Sequence, residues 1–292
     1  MLAVALALMS AVSFGASDYA AGLATRAASV LQVTFLAQLA SVSTALLVAP
    51  WVSPLRLPPA AAGWSAVAGV GGIFGALALY VGFRHAVFSV ASTLSAVGSA
   101  ALPVLAGLLF GERPSALALA GIAHAIPAIA AISAGQGTAG DVPSPQHRAI
   151  TGRHVAGVGY GLAAGVGFAL FFIGLNRAGS GSGLWPVIVA EAVSLPVLVC
   201  CALPARQLGL PPRGSRLLAA ATGATGATGT ILFFIASHHG LLAVTAVITS
   251  LYPGGTILLA RIRLGERLSP VRLAGLVLAG ASVALIAVAG VG

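Results

Sequence analysis

The stretch from Gly69 to Tyr80 reads GVGGIFGALALY, and 154 residues later the stretch from Gly223 to Phe234 reads GATGATGTILFF. The glycines at 69, 72 and 75 recur at 223, 226 and 229. Beyond them His85 recurs as His239, Gly111-Glu112-Arg113 as Gly265-Glu266-Arg267, and Ser115, Leu119, Ala120 and Gly121 as Ser269, Leu273, Ala274 and Gly275. Residues 69–136 and 223–290 align without a gap. Both copies are apolar, so the repeated unit is a membrane unit. Internal repeats of this kind are how many secondary transporters build alternating access. Glycine triplets of this spacing fall on one helical stripe, where small residues let backbones approach closely.

Only 7% of the 292 residues are charged and 59% are hydrophobic; mean hydropathy is +1.05. A soluble domain carries about 25% charged residues, so lipid must be the solvent of this chain. The net charge of +9 comes from fourteen arginines, with no lysine, against five acids. The arginines stand singly or in small groups between apolar runs, the ordinary positive-inside pattern of membrane loops. No basic stripe with interleaved aromatics exists to follow a phosphate backbone, so nucleic acid is not an expected partner. Cys200 and Cys201 are adjacent, which rarely suits a disulfide, and no second pair exists for a metal site. They read as small lipid- or helix-facing side chains. The apolar run from Leu2 has no basic segment before it and reads as a first span rather than a signal peptide.

Spans need about 20 apolar residues, and ten stretches fit: 2–23, 30–50, 62–83, 87–110, 115–134, 154–176, 184–204, 215–237, 241–263 and 269–289. The break from Gly135 to Arg153 is the longest, and it divides a first five-helix repeat (1–134) from a second (154–292), with 135–153 as linker. Five is odd, so the second repeat must enter the bilayer from the opposite side. The expected fold is all-α and integral to the membrane, ten transmembrane helices in two inverted five-helix repeats. Loops after odd-numbered spans hold eleven arginines and loops after even-numbered spans hold three. That split puts the former, linker included, in the cytoplasm and both termini outside.

With this order of elements, the chain resembles an EamA-type member of the drug/metabolite transporter superfamily. The likeness rests on the two five-span repeats, on Phe14-Gly15-Ala16-Ser17-Asp18-Tyr19 in the first span, and on Gly-Glu after spans 4 and 9. Gly121 and Gly275, nine residues beyond each such Glu, complete it. The resemblance implies a multi-pass protein of the cell inner (plasma) membrane. It implies export of small metabolites, amino acids among them, or of drugs, from a cavity between the halves. The partners are then a small-molecule substrate and the bilayer, with a homodimer left open and no cofactor or metal. Relatives often carry Trp-Gly in the first span and a basic residue in the second. Phe14-Gly15 and Gln38 stand there instead, so the usual substrate chemistry is not carried over.

Glu191 is the leading candidate for chemistry. An acid at membrane depth costs about 2.5–3.5 kcal/mol or more unless it is paired, protonated or in a watery cavity. Its counterpart in the first half is Gln38, so both halves place a hydrogen-bonding group at one level. Glu191 either serves a pocket or proton path or is a protonated partner locking two helices. Asp18 is a candidate for binding a cation or relaying a proton; it can equally pair with Arg26 or cap a helix end. Span 4 carries a polar stripe of Ser89, Ser92, Ser95 and Ser99, and span 9 carries Thr245, Thr249, Tyr252 and Thr256. Either stripe can satisfy itself on i−4 carbonyls, but two matched stripes are expected to line the central path. Pro103 and Pro253, interrupting those spans, free carbonyls for it. Tyr80 is a further pocket candidate, since a phenol inside a bundle needs a partner. His124, in mid-span, is either a packing residue or a proton relay. Glu112 and Glu266 read as structural groups bonding free helix amides, with Ser115 and Ser269 as N-caps.

A Walker motif is absent, as a chain without lysine requires, so energy must come from a gradient. No His-Glu-x-x-His or acidic pair suited to Mg²⁺ occurs. The expectation is a secondary, gradient-driven transporter and not an enzyme; the alternatives are a membrane-embedded enzyme acting on a lipid-linked substrate and a non-transporting scaffold.

Overall fold

The computed structural model describes residues 1–48, 57–85, 88–134, 147–204, 209–264 and 269–289, and within its helices the side chains of 80, 83–85, 88–90, 92, 134, 147–154, 260 and 264 lie outside that description. The described chain is all helical. In order it runs α1 (Leu2–Ala24), α2 (Val30–Val48), α3 (Pro59–His85), α4 (Phe88–Leu109), α5 (Ala116–Ala134), α6 (His147–Arg177), a 3-10 turn (Ser180–Ser182), α7 (Trp185–Ala202), α8 (Arg213–His239), α9 (Leu242–Thr249), α10 (Tyr252–Leu264) and α11 (Pro270–Ala289). Among these residues nine stretches are long and apolar enough to cross a bilayer, and α4 adds a shorter apolar run, Thr93–Leu109. The protein is a multi-pass helical membrane protein. Helices are what such a sequence must form, because hydrocarbon offers no partner to an open backbone amide.

Two expected boundaries shift. The break at 135–153 is shorter than expected, since α6 begins at His147 and its apolar run begins at Val155. Its first turns carry Arg148 and Arg153 and extend the helix beyond the lipid-soluble segment. The ninth span is two helices. α9 stops at Thr249, and α10 starts at Tyr252 after two intervening residues. Pro253 explains the stop, because its ring collides with the carbonyl four residues back and it brings no N–H to the ladder. The chain turns there through Ser250 and Leu251, whose amides bond to Ala246 and Ile248 carbonyls at 2.9 and 3.1 Å. Pro103 behaves differently: it sits inside an unbroken α4.

Packing is dominated by close helix pairs. α3 lies along α6 and α1 along α8; α2 lies against α8, and α7 against α3; α5 packs on α11. Glycines set the separations. A Cβ on Gly167 in α6 would sit 2.6 Å from the Gly75 backbone in α3. On Gly69 it would collide with the Ala190 carbonyl of α7, and on Gly223 with the Ala37 carbonyl of α2. The α5–α11 contact is reciprocal: Gly121 faces Ile286 at 2.6 Å from the would-be Cβ, and Gly275 faces Ile132 at 2.9 Å. The start of each helix therefore meets the end of the other, and the pair is antiparallel. Ser282 donates to the Gly121 carbonyl across it at 2.8 Å.

Glu112 has a tertiary role. It follows α4, yet its carboxylate accepts the Leu242 and Ala243 amides at 2.6 and 3.0 Å, capping the N-terminus of α9. An anion on the free amides of a helix start is favourable on both hydrogen-bonding and dipole grounds. Ser115 and Ser269 cap their own helices, accepting the Ala118 and Arg272 amides. Glu266 lies outside the described residues.

Candidate functional site

A cavity of about 230 Å³ opens where α1, α2 and α3 meet α6, α7 and α8, with α4 and α10 reaching its edge. Close glycine crossings create it: Gly72, Gly223 and Gly226 line it, so the helices that carry them present backbone where side chains would otherwise fill the space. Its polar wall comes from α1 and α2, with Ser17, Asp18, Thr34, Gln38 and Ser41, joined by Glu191 and Ser194 of α7. Its aromatic wall is Phe168, Phe171 and Phe172 of α6, faced by Phe14 and Tyr252.

The polar centre is a bridge between α2 and α7. The Gln38 amide Nε2 donates to Glu191 Oε2 at 2.7 Å and to the Glu191 backbone carbonyl at 3.0 Å. Ser41 and Thr230 also bring their hydroxyls to the same carboxylate. Ser194, one turn further along α7, donates to the Gly69 and Ala190 carbonyls, both at 2.9 Å. Glu191 is buried, with 8% of its surface exposed, and every neighbour that reaches it is neutral. Asp18 differs: its side chain is exposed, it lines the same cavity, and it makes no hydrogen bond or ion pair with any described residue, Arg26 included. Nearby, Ser17 donates to the Thr222 carbonyl at 2.8 Å and ties α1 to α8. Phe14 and Tyr252 meet edge to face at 6.4 Å.

The residues expected from the sequence thus divide. Glu191, Gln38, Asp18, Ser99 and Tyr252 come together around the cavity. Ser95, Thr245 and Thr249 do not line it: all three are buried in helix packing. Thr245 bonds back to the Leu241 carbonyl at 3.0 Å, as a threonine one turn into a helix readily does. Among the described residues the Ser95 and Thr249 hydroxyls have no hydrogen-bond partner. The span 9 stripe fails as a lining because the break before Pro253 leaves the α9 half packed inward. His124 does not line the cavity either: its ring is exposed on α5 and, among the described residues, bonds its own helix at the Ala120 carbonyl, 2.7 Å away. The side chains of Tyr80, Ser89 and Ser92 lie outside the described residues.

The phenylalanines of α6 and the threonines of α8 were not anticipated. The 154-residue offset, applied to the first span, would have found the former: Phe14, Ser17 and Asp18 map onto Phe168, Phe171 and Phe172. At two of these three positions one half gives a polar group where the other gives a ring.

No family model matches the chain, and no curated protein matches it. A protein of known crystal structure aligns over 98% of this chain and 96% of its own, with a TM-score of 0.76 and 19% sequence identity. The arrangement of helices is therefore one already seen in a solved structure. At that identity the likeness extends to the fold alone.

Proposed function

We propose that the chain is a secondary transporter of the plasma membrane, of the EamA type, that moves a small metabolite or drug outward by alternating access through this cavity. Its two halves are related by a two-fold axis in the membrane plane. The offset that relates the halves carries α1 to α6, α2 to α7 and α3 to α8. Under it the α3–α6 pairing exchanges with α1–α8, α2–α8 exchanges with α3–α7, and the antiparallel α5–α11 pair maps onto itself. Such an axis would pass near the Gln38–Glu191 bridge, whose residues stand 153 positions apart, one short of the repeat offset. The observation that carries the reading is this polar bridge and the cavity around it, at the seam between halves. Binding at a repeat interface near the midplane is how inverted-repeat carriers work, and an intramembrane acid facing a cavity is by default a functional group.

In this mechanism Glu191 either holds a substrate charge or exchanges a proton with it, while Gln38 orients the carboxylate. The side-chain-free glycine crossings let the helix pairs rock against one another. The test is flux into proteoliposomes under an imposed proton gradient, first with a panel of labelled metabolites and drugs, then with Glu191→Gln. The variant keeps size and hydrogen bonding but cannot titrate. Wild-type flux should vary with pH across the near-neutral range, and the variant should lose that dependence while still assembling. Flux in Glu191→Gln with the wild-type pH profile would rule out the carboxylate as the coupling group.

A further inference from the structure

The cavity's charge is one-sided. Its described lining contains two acids, Asp18 and Glu191, and no arginine or histidine. Glu191 is already held by the Gln38 amide and by neighbouring hydroxyls, whereas Asp18 is exposed to the cavity and has no partner among the described residues. The same lining holds Phe171 and Phe172, with ring centroids 5.5 Å apart, and Phe172, itself 4% exposed, rests on the buried Phe233 at 4.5 Å. Ring faces attract cations and take apolar bodies; they give nothing to an anion. A carboxylate in this space would meet two acids and no described counter-charge, in a setting where unscreened like charges repel strongly. The volume of about 230 Å³ is below the range of about 300–1,000 Å³ usual for drug-sized ligands, which limits the occupant to a single small ring or a short chain.

We propose that the cavity takes a small amphipathic amine in its ammonium form, with the cation beside Asp18 and the apolar body against Phe171 and Phe172. It discriminates against the amino acid of the same skeleton. The proposal rests on reading the cavity as a carrier's binding site, and it narrows the substrate from metabolites in general to amines without a carboxylate. Asp18 is the selecting group; the Glu191–Gln38 bridge sets the floor of the site.

Phenethylamine, phenylalanine and phenylacetate share a skeleton and differ in charge, which makes them suitable probes. Their dissociation constants are measured by calorimetry on the full chain in lipid nanodiscs at neutral pH, where the amine is a cation. The amine should bind at least about tenfold more tightly than either of the others, a difference a single unpartnered charge can supply. Asp18→Asn should abolish that preference, and Asp18→Glu should keep it. Phenylalanine or phenylacetate binding as well as the amine, or no binding of the amine, overturns the proposal. So does an unchanged preference in Asp18→Asn. If Asp18→Asn fails to assemble, the wild-type ranking and its retention in Asp18→Glu decide the matter. Counterflow of labelled phenethylamine in proteoliposomes separates the two levels: selective binding without counterflow upholds the amine site and overturns the carrier reading. Counterflow of phenylalanine in preference to the amine does the reverse.

Discussion

At the residue scale, Thr249 and Gln38 show opposite ways of keeping a polar group in a membrane interior. Gln38 uses both a side-chain and a backbone acceptor on Glu191, so its amide N–H groups are satisfied, and its removal would leave the carboxylate with only the Ser41 and Thr230 hydroxyls. Thr249 is fully buried, and its hydroxyl finds no acceptor among the described residues. An unsatisfied buried hydroxyl costs about 1–3 kcal/mol. Valine has nearly the same shape without that penalty. Thr249→Val is therefore expected to leave the detergent-solubilised melting temperature unchanged or raise it, and to leave flux intact. A drop in melting temperature would mean that the hydroxyl has a partner, and a loss of flux at constant stability would mean that it finds one in another state of the transport cycle. Ser95→Ala, at the equivalent position, is expected to behave the same way.

At the scale of the elements, glycines decide which helices touch, and they do not all matter equally. A Cβ on Gly167 would lie 2.6 Å from Gly75 Cα and 2.6 Å from Gly75 N, and 2.7 Å from the Gly71 carbonyl. All three neighbours are backbone, so α3 and α6 must separate to admit it. Gly167→Ala is expected to destabilise by about 1–3 kcal/mol, the usual cost of forcing extra volume into a packed contact. Gly22→Ala in α1 is the control, because nothing lies within 4 Å of its would-be Cβ, and alanine is the better helix former. Thermal unfolding of both variants in the same detergent tests this, and equal melting temperatures would refute the crossing as drawn. The break between α9 and α10 belongs to this scale too. Hydropathy reads 241–263 as one span, since both halves are apolar. Pro253 alone does not announce a break, for Pro103, Pro127 and Pro196 all sit inside continuous helices.

At the scale of the whole molecule, the arginine distribution predicts the sides of the membrane. From the eleven-to-three split between alternate loops, the 135–153 segment is expected in the cytoplasm and both termini outside. A cysteine engineered in that segment of a Cys200→Ser, Cys201→Ser background should react with an impermeant maleimide only after the cells are opened. Both native cysteines are exposed on the bundle and would otherwise confuse the result. Labelling in intact cells would reverse the assignment.

The all-helical membrane class could be read from composition, because too few charged residues to face water and about 20 apolar residues per span point to helices in lipid. The bridge, too, was half visible, since Glu191 and Gln38 stand out as polar groups at matching levels of apolar spans. The rest depended on rotation of helices about their own axes. Hydropathy is nearly uniform around a helix bathed in lipid, so no polar face tells Ser99, which reaches the cavity, from Ser95, which is packed away one turn earlier. The same uniformity hid His124 on an outer face, and only the repeat offset, not hydropathy, pointed to Phe168, Phe171 and Phe172. Those orientations are set by where a neighbouring glycine admits close approach, and that is a relation between two helices rather than a property of either sequence. Glu112 makes the point most plainly: its residue type marks it as a helix cap, but the helix it caps begins 130 residues away, and only the packing of α4 against α9 brings the two together.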